Sequence, residues 1–433
     1  MTPFEIGIAG VIILVVLLFL GMPIGIGMGL VGFLGFLALS GIDSAMGRLG
    51  LTAFNVAANY ITTVIPLFML MGELAFSSGL TEEAYDATYK WLSRLPGSLA
   101  MATIGGCAAF AAVCGSNVAT ASTMFSVSYP QMRQRHYGEG LALGSIASGG
   151  TLGILIPPSN ALILYALVTE QSIGKLFLAG ILPGILLAIL FIGVIYAWVR
   201  FKPEIGPVGP KFSWRERVMS LRKLWAVIIL FTVVMGGIYS GIFTATEAAA
   251  IGALASFLIA LARGRLTIKN TVTSFLNAMK TTGMVFLLII GATMLGYFLA
   301  ASGVARAVTE LAVSTFFSPG PLMLAIGILF LLLGMFFDAW AIILIIVPIL
   351  YPSIEALGID PIWFGVATVI LVQLGLVTPP IGINVFVVAG MAKDVPTYTI
   401  FRGIVPFCVA IVICVIILWI FPSIVTFLPG GMQ

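Results

Sequence analysis

Charge is what this chain has least of. Only 8% of its 433 residues are Asp, Glu, Lys or Arg, while 61% are hydrophobic. A soluble domain carries about 25% charged residues, so a water-exposed globule is excluded. Histidine occurs once, at His136, in the basic run Arg-Gln-Arg-His at 133–136, which reads as a solvated surface loop. With one histidine there is no His-Glu-x-x-His pair, and no Ser/His or paired-Asp arrangement stands out; the expectation is a protein that is not an enzyme. The four cysteines, Cys107, Cys114, Cys408 and Cys414, lie in apolar segments without metal-ligand spacing and read as small buried hydrophobes. No ATP-binding loop is present. The glycine-rich run at 21–29 sits between two apolar segments, where close helix packing explains it better than phosphate binding. The first residues, Met-Thr-Pro-Phe-Glu, lack a basic leader and a cleavage site, so the first apolar segment is expected to be retained.

What the chain has in abundance is apolar runs near 20 residues, from end to end. They predict an all-α polytopic membrane protein. Spans are expected at about 6–20, 21–39 and 56–76, with an amphipathic interfacial stretch at 81–94. An interrupted segment at about 97–130 has halves too short to cross, which predicts a re-entrant hairpin with its tip near Gly115. A broken span at about 141–167 and a span at 176–199 follow. A polar connection at 200–223 leads to spans starting near Leu224, Ala245 and Met284, a second hairpin at about 320–352 broken around 337–339, a second broken span at about 361–391, and a last span at 405–421.

Both broken spans carry the same device. Pro157-Pro158 and Pro379-Pro380 lack backbone N–H groups. In a helix those groups would bond the carbonyls of Gly153, Ile154, Gly375 and Leu376, four residues back. An unpaired carbonyl at membrane depth is costly unless protein, water or an ion satisfies it. Two broken helices in corresponding places point to a transporter's binding site.

The two halves match residue by residue. Residues 72–79 align with 296–303, Pro96-Gly97 with Pro319-Gly320, the two Pro-Pro pairs with each other, and 180–183 with 403–406, at offsets of 222 to 224. The predicted organisation is therefore a first repeat at 1–200, a linker at 200–223 and a second repeat at 224–433. Five crossings per repeat is odd, so the second copy is expected to be inverted. With the linker on the cytoplasmic side, 17 of the 20 Lys and Arg residues fall in cytoplasmic loops, leaving Arg48, Lys175 and Arg306 outside. Inverted repeats, paired hairpins and paired broken helices together predict a secondary transporter.

Four stretches carry a family likeness: Cys-Gly-Ser-Asn-Val-Ala-Thr-Ala at 114–121, residues 141–159 through the first Pro-Pro, Thr-Glu-Gln-Ser-Ile-Gly-Lys-Leu-Phe-Leu-Ala-Gly at 169–180, and Phe-Asp-Ala-Trp-Ala-Ile-Ile-Leu at 337–344. The chain closely resembles the large membrane (M) subunit, DctM-like, of tripartite ATP-independent periplasmic (TRAP) transporters, over essentially its whole length. The resemblance implies an elevator-type importer of organic acids such as sialic acid, C4-dicarboxylates or sugar acids, driven by a sodium gradient in a bacterial or archaeal cytoplasmic membrane. It implies a periplasmic substrate-binding (P) protein and a separate small four-span membrane (Q) subunit as partners. It also implies two or more Na+ ions as coupling ions and no organic cofactor. Carried onto this sequence, a first Na+ site uses Ala111, Cys114, Gly153, Ile156 and Pro158, and a second uses Gly334, Gly375, Thr378 and Ile381. Some members carry serine where Ala111 and Cys114 stand, a change that backbone ligation tolerates. Carbonyl and hydroxyl oxygens suit a hard cation.

Substrate is expected to meet polar groups at the tips between those sites: Ser116, Asn117, Thr120, Asn160, Asp338 and Asn384. Each has a structural alternative, since membrane Ser and Thr often bond a backbone carbonyl and Asn often packs between helices. An intramembrane carboxylate is usually functional, but Asp338 could equally cap the half-helix after it. Glu73 and Glu247 also lie in apolar surroundings, and Glu247 is expected to mark a helix start. Two other classes stay open at this point: a stand-alone carboxylate or anion transporter of related hairpin architecture, and a channel.

Overall fold

The computed structural model describes residues 1–316 and 318–432. In chain order the helices are α1 (Pro3–Phe19), α2 (Ile24–Ser40), α3 (Ile42–Ala58), α4 (Val64–Ser77), α5 (Leu80–Leu92), α6 (Ser98–Cys114), α7 (Asn117–Gln134), α8 (Glu139–Thr151), α9 (Asn160–Thr169) and α10 (Ile173–Phe201). Then come α11 (Trp214–Lys223), α12 (Trp225–Tyr239), α13 (Ala245–Ala262), α14 (Ile268–Ser302), α15 (Val304–Thr315), α16 (Pro319–Gly334) and α17 (Ala339–Ala356). The last four are α18 (Pro361–Val377), α19 (Ile383–Met391), α20 (Thr397–Ile420) and α21 (Ser423–Gly430). The protein is all-helical and polytopic.

Among the described residues, five helices, α10, α13, α14, α17 and α20, are long and apolar enough to cross a bilayer. Counting α3 with α4 (bent by 57°) and α11 with α12 (bent by 48°) gives up to seven. The apolar helices α1, α2, α6, α9, α16 and α18 have 10–17 residues. At 1.5 Å per residue, 17 residues rise about 26 Å, short of the ~30 Å hydrocarbon core. Element order recurs along the chain. From α5 to α10, each helix has a counterpart among α15 to α20 that starts 221 to 224 residues later.

Two expectations need correction. The segment before residue 56 is a helix of its own, α3, because Asp43, Arg48 and Asn55 lower its hydropathy without opposing helix formation. The interval 263–280, read as a loop before a span near Met284, mostly belongs to α14. Thr267 caps that helix by accepting the N–H of Asn270 at 3.1 Å, and its 35 residues run well beyond the apolar stretch. Glu247 does mark a helix start: it closes a capping box with Thr244, which donates to it through both N–H (2.8 Å) and hydroxyl (2.9 Å).

Two sets of helix contacts stand out, joined by α4 on α6 and α14 on α17. In one, α2 lies along α14, α13 along α4 and α12 along α13. In the other, α6 and α7 pack on α8, α16 on α18, α17 on α9, and α20 on α8. Glycines on one face of α2 seat it on α14. A Cβ on Gly32 would stand 2.5 Å from the carbonyl carbon of Met294 and 2.8 Å from Cα of Leu295, so only glycine admits this approach. The connection at 200–223 is also built in. Gly97 and Gly138 donate backbone N–H bonds to Gly206 and Ile205 at 2.9 Å each, and Gly209 donates to Ser93 at 3.0 Å. This ties the connection across the base of the α6–α7 hairpin.

Gly32→Leu is expected to lower the melting temperature in detergent, with an overpacking cost of about 1–3 kcal/mol. Gly47→Leu, at a position with nothing within 4 Å of a new Cβ, should leave it unchanged or slightly raised. Equal effects in a thermal-shift assay would contradict the seam.

Candidate functional site

The site grows from the two helix breaks. After α8 the chain tightens into one 3-10 turn, Leu152–Ile154, before Pro157 and Pro158. The hydroxyl of Ser159 turns back and donates to the Ile154 carbonyl. The same oxygen accepts the N–H of Leu162 at 3.2 Å, capping α9. No donor among the described residues reaches the Gly153 carbonyl. At the second break the N–H of Thr378 bonds the Gly375 carbonyl at 3.0 Å, and the Thr378 hydroxyl donates to Leu374 at 2.5 Å. The Leu376 carbonyl has no donor among the described residues. Of the four carbonyls that the prolines free, two are satisfied locally and two, Gly153 and Leu376, are not. Sequence reasoning singled out Gly153 and Gly375; at the second break the unpaired group belongs to the next residue.

Each break faces a hairpin tip. Between α6 and α7 the tip is Gly115, in the left-handed region at φ 67°. A Cβ there would stand 2.6 Å from the Pro158 carbonyl oxygen. A Cβ on Gly153 would run into the carbonyl of Ser116 and stand 2.6 Å from the Thr120 hydroxyl. Ala111 accepts the N–H of Gly115 at 3.4 Å. Cys114 has its carbonyl against Gly72 of α4, and Ile156 lays its side chain on Gly184 of α10. At the second tip Gly334 meets Gly375 backbone to backbone, and Gly382 donates to the Met335 carbonyl at 3.4 Å. Ile381 is exposed beside it.

The six polar candidates fall into two groups. Ser116, Asn117 and Asp338 line one cleft of about 820 Å³ between the two tips, with Ile381, Phe337 and Trp340 around them. Ser116 and Asn160 line an adjoining cavity of about 320 Å³. Asp338 also caps α17, accepting the Trp340 N–H at 3.3 Å, the alternative role its position offered. Thr120 and Asn384 line neither cavity. Thr120 is fully buried and donates to the Ser116 carbonyl at 2.6 Å. Asn384 accepts from the Asn117 amide at 3.0 Å and donates to the Ala147 carbonyl at 3.3 Å. That pair joins the first hairpin to the second broken helix and to α8. Sequence reasoning left Glu73 unassigned and missed its partner. Glu73 faces the second cavity and accepts from the Asn277 amide at 3.2 Å. The contact spans α4 and α14, and no sequence period signals it.

Asn117→Ala and Asn384→Ala should each cost about 1–3 kcal/mol, by stranding a buried amide. The double variant should cost clearly less than the two combined. Additive losses in a double-mutant cycle on thermal stability would show that the amides act independently.

Comparisons with known proteins place the chain in a family. The family described as "Tripartite ATP-independent periplasmic transporter, DctM component" matches residues 11–424. The C4-dicarboxylate TRAP transporter large permease protein of Pseudomonas aeruginosa is 34% identical, over 93% of each chain. The sialic acid TRAP transporter large permease protein of Vibrio cholerae is 33% identical, over 95% of this chain and 96% of its own. The ectoine TRAP transporter large permease protein of Halomonas elongata is 31% identical, over 95% and 96%. Among solved structures, the YdaH transporter of Alcanivorax borkumensis shares the fold, with a TM-score of 0.60, at 14% identity over 90% of this chain and 89% of that one. These three relatives are named as transporter permeases, and this chain is a transporter component rather than an enzyme. By a family match over nearly its whole length, the chain belongs to the DctM component family of tripartite ATP-independent periplasmic transporters.

Proposed function

We propose that the chain is the membrane component that carries an organic acid through the cytoplasmic membrane in symport with sodium. The single observation that carries this reading is the pair of donor-less carbonyls, Gly153 and Leu376, each at a helix break beside a hairpin tip. A hard monovalent cation suits such oxygens, because carbonyls supply ligand dipoles without a fixed negative charge. The first Na+ set is Ala111, Cys114, Gly153, Ile156 and Pro158. The second is Gly334, Gly375, Thr378 and Ile381, to which the Leu376 carbonyl is added. The Thr378 hydroxyl donates its proton to Leu374, which leaves its oxygen free to accept a cation.

The substrate sits in the cleft between the tips, against Ser116, Asn117 and Asp338. The N-termini of α7 and α17 supply partial positive charge to its carboxylate. Relatives are named for C4-dicarboxylate, sialic acid, isethionate and ectoine, so the shared chemistry is a small polar molecule with an acid group. A periplasmic binding protein delivers it, and a small four-span membrane subunit accompanies this chain. The two halves are inverted copies of one unit. The hairpins and broken helices form a moving domain, with α2, α4, α13 and α14 in the fixed scaffold.

Thr378→Val should raise the Na+ concentration for half-maximal uptake about tenfold, equivalent to about 1.4 kcal/mol. Thr378→Ser should restore it. Unchanged Na+ dependence in Thr378→Val would remove the hydroxyl from the site. For orientation, Lys211→Cys in the exposed linker should react with an impermeant thiol reagent from the cytoplasmic side alone; labelling from outside would reverse the topology.

A further inference from the structure

The polar connection ends in α11, which leads through the single residue Leu224 into α12 with a bend of 48°. One side of α11 is committed to the protein. Trp91 of α5 donates its indole N–H to the Arg217 carbonyl at 3.1 Å, and Arg217 and Ser220 are buried. Another side is left uncovered. Trp214, Val218, Leu221 and Trp225 are between 41% and 68% exposed. Their spacing of four, three and four residues puts them in one stripe of a helix with 3.6 residues per turn. The stripe runs on into α12, where Ile228 and Ile229 are exposed in turn. It is therefore continuous with the apolar side of a span. Tryptophan at both ends suits the boundary between membrane and water.

Charge is concentrated on the same segment. Residues 211–223 hold Lys211, Arg215, Arg217, Arg222 and Lys223 against Glu216 alone, so this short stretch carries as much net positive charge as the whole chain, +4. Lys223 reaches Asp86 at 3.7 Å, and Glu216 is held in a capping box with Ser213. Lys211, Arg215 and Arg222 are exposed and make no ion pair among the described residues. Arg215 and Arg222 stand one residue after Trp214 and Leu221, seven apart, and so lie along one edge of the stripe. Long basic side chains at such an edge reach headgroup phosphates while the apolar face sits among acyl chains. A partner helix would match the apolar stripe alone. An anionic bilayer surface matches both the stripe and the cations beside it.

We propose that α11 is a surface anchor that docks on anionic phospholipid of the cytoplasmic leaflet. Trp214, Val218, Leu221 and Trp225 lie among the acyl chains, and Lys211, Arg215 and Arg222 meet the phosphates. Residues 205–209, just before the anchor, are bonded to the base of the α6–α7 hairpin, which sets that base close to the leaflet surface. Only the side of the membrane is taken from the transport reading above; the docking itself holds whichever ion or acid is carried.

The test reads contact between α11 and lipid directly rather than uptake. Val218→Cys, labelled with a fluorophore, is made in the full chain with its small membrane subunit and placed in liposomes. Phosphatidylglycerol or phosphatidylcholine with brominated acyl chains is included at equal low fractions, and the unsubstituted chain gives the background from the native cysteines. Both lipids should quench the label, phosphatidylglycerol more strongly. Arg222→Gln should lower that preference about fivefold, the worth of one arginine near a charged surface, and Arg215→Gln should act alike. Arg222→Lys should keep most of it, and high salt should weaken it. Equal quenching by the two lipids, or a preference that both glutamine variants and salt leave unmoved, would overturn the anionic site. Quenching by neither would show that another chain covers the stripe and would overturn docking on lipid altogether. A wrong orientation would show separately, as labelling of Lys211→Cys from outside.

Discussion

A backbone carbonyl inside a membrane must find a partner, and this fold is arranged around four that have lost theirs. Pro157, Pro158, Pro379 and Pro380 remove the N–H groups that would have served them. The protein then satisfies two by local means, the Ser159 hydroxyl for Ile154 and the Thr378 N–H for Gly375. The remaining two, Gly153 and Leu376, stand beside hairpin tips. Lipid cannot satisfy them, so protein must surround them closely enough to exclude it.

That requirement accounts for the residues around each break. Gly153 lies against the Ser116 carbonyl where a side chain would not fit, and Gly334 and Gly375 meet backbone to backbone. These contacts bring main-chain oxygens from two elements toward one place without a charged side chain. The polar tips then meet across a shared cleft, where Asp338 both caps α17 and faces the space opposite Ser116 and Asn117. Asn117 and Asn384 tie the first hairpin to the second broken helix, so the two breaks are mechanically linked. At the α2–α14 seam, glycine contacts likewise bring two helix backbones together.

Much of this was legible in the sequence because proline and glycine act locally. The breaks, the tip at Gly115, the gap between α16 and α17 and the doubling of the element order all follow from punctuating residues. Hydropathy misjudged two places. It passed over α3, which is helical but too polar to register, and it started α14 too late, because a helix can continue past its apolar stretch. The site was read less completely. Which freed carbonyl keeps its vacancy depends on a serine hydroxyl and on a tight turn, neither of which has a period. The Asn117–Asn384 and Glu73–Asn277 contacts join residues more than 200 positions apart, and only the packed fold brings them together.

The most direct measurement is uptake by proteoliposomes that hold this chain with its small membrane subunit. A labelled organic acid would be supplied with and without its binding protein, and with and without an inward Na+ gradient. The account predicts accumulation only when both the gradient and the binding protein are present. Accumulation without Na+ would contradict the role given to the carbonyls at the two breaks. Accumulation with Na+ but without the binding protein would leave the ion sites standing and describe a carrier that works alone.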